Sequence, residues 1–208
     1  LTDEDEERED RVIQLLTTAA ASRDIDYQLL LVDEYWRQAS NSRDSARFVR
    51  GADIVRELAK VGEPRAALFL SRHASAIERF SDDAGDLLSE PGAQGWLERA
   101  AATGYLPARC QLGVGRFKNV TNRLPGATIE NLRQSVGDLL ACARDTRKVP
   151  EFTPRIFGSP GLYADKAVID YESPIYYARA ANRALAKMYA DGLGVTADAA
   201  SSAKYAAW

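Results

Sequence analysis

The chain is poor in the residues that most often do chemistry: one His, one Met and two Cys among 208 residues. With His73 as its single imidazole, no Ser-His-Asp or Cys-His pairing has independent support. His73 also sits at helical spacing with Leu70, Ile77 and Phe80, which points to a structural or interface residue. Cys110 and Cys142 match no zinc-ligand spacing, and neither has the flanking basic cluster of a reactive thiol. Two readings fit them: one disulfide formed in an oxidising compartment, or two small buried residues on separate helices. No basic excess exists, since 27 Lys and Arg face 30 Asp and Glu for a net charge of −3. A nucleic-acid binder usually shows the opposite balance. No run of 18 apolar residues is present to form a membrane span. Carboxylates are plentiful, with Asp33-Glu34 and Asp82-Asp83 as the obvious pairs, and solvated helix faces and caps account for them. The expectation is no catalytic residue, no metal and no cofactor.

Period-two alternation rich in β-branched residues is also missing. What is present is helical periodicity, in a chain 46% hydrophobic and 27% charged. Residues 3–21 open with acids, which suit a helix N-terminus. Residues 25–39 place Ile25, Leu29, Val32 and Trp36 on one stripe. Residues 43–61 and 64–80 form one pair, and 92–103 and 107–117 another. Thr128 is placed to cap a long helix carrying Ile129, Leu132, Val136, Leu139, Leu140 and Ala143. Residues 147–175 are different: Pro150, Pro154, Pro160 and Pro174, with Gly158 and Gly161, interrupt any regular element. A segment of that length without regular structure is often functional, and its aromatics call for something to pack against.

Internal repetition follows from one alignment. Residues 59–70, AKVGEPRAALFL, match 101–112, AATGYLPARCQL, at Ala59 and Ala101, Gly62 and Gly104, Ala66 and Ala108, Leu70 and Leu112. Gly just past a helix takes the left-handed cap conformation, and Pro64 and Pro107 suit a first turn. The closing stretch, LAKMYADGLGVTADAASSAKY, puts Gly192 and Gly194 in a short reversal between two helices. Thr196 is expected to cap the second helix, with Asp198 in its first turn. No strand precedes these glycines and no Lys or third Gly accompanies them, so they are no phosphate loop.

That closing stretch resembles the Sel-one-like repeat, a short α/α relative of the tetratricopeptide repeat. The family pattern falls on Leu185, Ala186, Tyr189, Gly192, Gly194, Val195, Asp198 and Tyr205, with Ala186 where the family usually has Gly. A second half-match falls on Trp96, Ala100, Ala101, Gly104, Ala108, Leu112 and Gly113; after it, VGRFKNVTNRLPGA replaces the expected hairpin. The resemblance implies one all-α domain over 1–208: a right-handed α/α superhelix, or solenoid, of antiparallel helix pairs, with 147–175 as an irregular insertion. It also implies a protein-binding adaptor or scaffold, as in many bacterial members.

The expected function is therefore a bacterial periplasmic immunity protein, a steric inhibitor that occludes a toxic secreted enzyme. The alternative is an assembly adaptor of a cell-envelope or secretion complex. The start at Leu1 in an acidic stretch fits a removed targeting segment or a shortened chain; periplasmic residence follows from the first, with a cytoplasmic one as the alternative. Candidate contact residues are Tyr35, Phe157, Tyr163, Asp165, Tyr176 and Tyr177. Adjacent helical residues point about 100° apart, so with Trp36 on the core stripe Tyr35 is expected to be exposed. Acidic residues on the groove would steer a basic partner.

Overall fold

The computed structural model describes residues 3–42, 45–80, 91–144 and 174–208. Every regular element among them is a helix: α1 Asp3–Ala20, α2 Ile25–Ser42, α3 Ser45–Lys60, α4 Pro64–Phe80, α5 Gly92–Ala102, α6 Leu106–Thr121, α7 Ile129–Gln134, α8 Val136–Cys142, α9 Pro174–Asp191 and α10 Ala199–Ala206. Contacts group them into two compact units, one running through Arg99 and one from Ala100 onward. Phe157, Tyr163 and Asp165, with all but the last two residues of the 147–175 insertion, lie outside the described residues. Pro174 and Ile175 belong to α9.

In the first unit each of α1 to α4 packs on the next. The α2 stripe behaves as its spacing predicts: Leu29 and Val32 are fully buried and Trp36 is 2% exposed. Asp24 starts α2 by accepting the Asp26 amide at 2.9 Å. Between α3 and α4 the chain reverses at Gly62, φ +95°. The Glu63 amide donates to the Leu58 carbonyl and the Gly62 amide to Ala59, the paired bonds that close a helix on a left-handed residue. Gly104 takes φ +88° after α5, so the repeated glycine does the same work at both places.

In the second unit α6, α8 and α9 pack mutually, and α10 folds back on α9. Their core holds Val114, Leu132, Leu139, Tyr177, Leu185 and Met188 around Cys110 and Cys142. The two cysteines form a disulfide, with Cα atoms 5.5 Å apart. Asn182, 3% exposed, donates from Nδ2 to the Ala143 carbonyl beyond α8 at 2.9 Å and to Ala178 within α9 at 2.8 Å. A buried amide thus satisfies carbonyls from both sides of the α8–α9 contact.

The long helix expected after Thr128 is two helices. Thr128 does cap, accepting the Asn131 amide at 3.1 Å, but the axis breaks at Ser135, φ −89°, ψ 0°. Ser135 Oγ donates back to the Asn131 carbonyl and accepts from Arg116 of α6. Back-bonding serines bend helices, and Arg116 holds this one in place. Conversely α6 runs on to Thr121 through Gly113 and Gly115, beyond its expected end at 117.

The terminal hairpin forms where the glycines predict. Gly192 and Gly194 have φ +67° and +72°, the Leu193 amide donates to the Met188 carbonyl, and Tyr189 stacks on Tyr205 at 5.8 Å. The cap differs from expectation: Asp198, not Thr196, accepts the Ala200 amide at 3.0 Å. Hydrogen bonds, first from the Ser201 hydroxyl, then from that amide and from the Ser201 amide, hold the Asp198 carboxyl below its usual range. Gly194 has a second role. A Cβ there would lie 3.2 Å from the Arg133 nitrogen and 3.3 Å from its Cα, so the loop rests directly on the α7 backbone. Gly194→Ala is expected to cost about 2 kcal/mol, from left-handed strain plus this contact, whereas Gly104→Ala, with open space around it, costs about 1 kcal/mol. Urea unfolding of the two variants side by side checks the difference; equal losses would remove the docking role.

Candidate functional site

The described residues of the second unit form an open groove of about 590 Å³ between α6 and α9. Val114, Phe117 and Lys118 come from α6; Ile175, Tyr176, Arg179, Ala180 and Arg183 come from α9. Pro174 at the head of α9 and Pro107 near the head of α6 fit first turns, where the missing N–H costs nothing. Phe117, Tyr176 and Ala180 of the lining pack against the buried core, which takes Val114 outright. Lys118 Nζ donates to Tyr176 Oη at 3.1 Å and lies 5.8 Å from the centre of that ring. Arg179 and Arg183 are exposed and four residues apart on one helix face. Neither has an ion pair among the described residues, and no carboxylate lines the groove there. Like charges one turn apart repel, so this groove is suited to an anionic group carried beside apolar surface. The acids expected to line a docking groove are not on this one.

The adjacent tyrosines separate as helical geometry requires. Tyr177 is 6% exposed and belongs to the core, while Tyr176 faces the groove, the two rings 5.6 Å apart. Of the expected contact residues that lie among the described residues, Tyr176 lines this groove. Tyr35 is a correction: it is 8% exposed, not solvent-facing. Two helices flank α2, and the missing Gly51 side chain lets α3 come close, so that a Cβ at Gly51 would lie 3.4 Å from Tyr35 Cβ. Both Tyr35 and Trp36 are covered as a result. Lys118, Arg179 and Arg183 were not among the expected contact residues. Part of the signal was present, because Arg179, Arg183 and Lys187 recur every fourth residue with no acid among them before Asp191.

A second polar assembly lies in the first unit. Glu34 accepts from Arg37 Nε at 2.9 Å and from Gln38 Nε2 at 2.8 Å. Arg47 of α3 bonds to Gln38, which is fully buried, and to Asp10 of α1 at 2.7 Å. Glu34 is only 14% exposed, so its carboxylate belongs to a helix-bridging network and not to a solvated face. Burial alone would raise its pKa, but the bonds from Arg37 and Gln38 leave it lowered. Beside it, burial and the Glu34 charge push Asp33 up to about 6. His73 packs on Trp36 and Phe69, with centroids at 5.2 and 4.3 Å; desolvation, with the Arg72 charge, lowers its pKa to about 4. Asp82-Asp83 lie outside the described residues.

These two shifts have opposite consequences. Asp33, raised in the fold, gives stability that is full below the unfolded pKa of 3.8 and lost as pH rises through about 6. His73, lowered in the fold, gives stability that is present above 6.5 and lost as pH falls toward 4. Between pH 4 and 6 they offset one another. Asp33→Asn should therefore stabilise the chain at pH 7.5 by roughly 1–2 kcal/mol and expose a steady loss below pH 6.5. Thermal melts from pH 4 to 8 check this; a variant whose profile parallels the parent would refute it.

Among the described residues no group of three or more His, Cys, Asp or Glu side chains could hold a metal ion. No described helix is long and apolar enough to cross a membrane. No protein-family model matches the chain, and no curated protein matches it. The class that fold and site define is a protein whose described residues form only helices as regular elements, neighbouring helices packing on one another, with a cationic, partly apolar groove between two of them.

Proposed function

We propose that the chain is a non-catalytic protein-binding module, and specifically a bacterial periplasmic immunity protein that occludes a toxic secreted enzyme. The observation that carries the reading is the α6–α9 groove. It sets Arg179 and Arg183, which have no ion pair among the described residues, beside Phe117, Ile175 and Tyr176. Aromatic and arginine side chains on an apolar floor are the usual anchors of protein interfaces. The Cys110–Cys142 disulfide supports an oxidising compartment such as the periplasm. The Sel-one-like residues Tyr189, Gly192, Gly194, Asp198 and Tyr205, gathered in one hairpin, support kinship with helical-repeat adaptors.

The test is capture of the native partner on the full chain, followed by assay of that partner's activity. Expected is one secreted enzyme whose activity falls to background when the chain is added at equimolar amount, and growth arrest when the chain is deleted with its partner intact. A captured partner that keeps full activity would replace inhibition with the assembly-adaptor role. Failure to retain any protein would overturn the protein-binding reading itself.

A further inference from the structure

We infer that the α6–α9 groove receives an amphipathic helix of the partner, with carboxylates one turn apart along an edge next to its apolar face. This rests on the protein-binding reading and adds the chemistry of what is bound. Arg179 and Arg183 are separated by one helical turn, about 6 Å along the axis of α9. A second helix lying along α9 repeats that spacing in its own residues i and i+4. Apolar residues next to them on the same face then meet Phe117, Ile175 and Ala180, the helix-in-groove mode of recognition. On the α6 side Lys118 is steadied by Tyr176 and adds a third cation. An extended strand fits less well, because its i and i+2 side chains share one face and the residue between them points away.

Other occupants match the surface poorly. A duplex is gripped through about 6–10 phosphates, but this groove offers three cations on a chain of net charge −3. A small inorganic anion leaves most of about 590 Å³ and the apolar lining unused. The acidic start of α1, residues 3–10, makes a second copy of this chain the alternative that the experiment must separate.

The experiment selects displayed 16-residue amphipathic helices on the full chain and, in parallel, on the R179E/R183E variant. Both arginines are exposed, so the variant should keep its helical circular dichroism. Expected is enrichment of Glu or Asp pairs at i and i+4 beside Leu or Phe. Selected peptides should bind at least tenfold more weakly to R179E/R183E and weaken with added salt. Their Lys-for-Glu versions should prefer the reversed chain. Selection without acidic pairs, equal binding to R179E/R183E, or displacement by equimolar inorganic phosphate would overturn the inference. Self-association abolished by R179E/R183E in sedimentation would assign the groove to a second copy and also overturn it. Native partner capture that survives R179E/R183E unchanged removes the groove assignment while protein binding stands; no captured partner at all removes the protein-binding reading.

Discussion

Replacing both cysteines with alanine, C110A/C142A, is expected to cost about 3–4 kcal/mol and to lower the melting temperature by roughly 10 °C. The bond joins positions 32 residues apart. Opening it returns the freedom of that loop to the unfolded chain while the native packing changes little. Both residues are fully buried, one in α6 and one at the end of α8. Alanine is the right replacement, since serine would bury two hydroxyls in an apolar core. The loss should concentrate in α6, α8 and α9, which pack around the bond. Urea unfolding of the oxidised chain against C110A/C142A gives the magnitude, and amide exchange gives the location. A variant with an unchanged midpoint, or one that loses protection first in α1 to α4, would contradict this account. The oxidised chain should approach the variant's stability once reductant has opened the bond.

The second large effect runs against helix propensity. Gly51 lies inside α3, where alanine is ordinarily better by about 1 kcal/mol. Here the added methyl would sit 2.6 Å from both Cδ1 and Nε1 of Trp36. That indole has little room to retreat: Phe48 lies 4.0 Å away, Phe69 4.7 Å and His73 5.2 Å, centre to centre, and Trp36 is 2% exposed. Gly51→Ala should therefore destabilise by about 2–3 kcal/mol, the overpacking loss exceeding the propensity gain. The same substitution in a Trp36→Leu background should be neutral or stabilising, because the obstructing ring is gone. A full thermodynamic cycle over the two positions isolates this coupling. A Gly51→Ala chain more stable than the parent would show that the indole is not wedged against α3.

How much of this was legible in the residues depends on how local each feature is. The Gly62 and Gly104 reversals, the Thr128 cap and the 192–194 hairpin each rest on a few neighbouring residues with one dominant preference. The α2 stripe is legible for the same reason, through its period. The break at Ser135 is not, because the side chain that holds the kink, Arg116, arrives from a different helix. The burial of Tyr35 was hidden by Gly51, whose lack of a Cβ brings α3 close enough to cover it. In the site, the adjacency of Tyr176 and Tyr177 marks one of the two as off the core without saying which, and the Arg179, Arg183 spacing is present in the sequence. Lys118 carries no such mark in the sequence, since its place opposite α9 depends on how α6 packs.

The sequence by itself determined the helices of the described residues, the positions of their reversals and the terminal hairpin, because backbone preference and hydrophobic period act over one or two turns. Only the tertiary structure decided that two cysteines face each other, that two carboxylates side by side on α2 titrate differently, and that cations from α6 and α9 share one groove. Those properties depend on distances between residues far apart in the chain, and on water excluded by their packing, which no local pattern encodes.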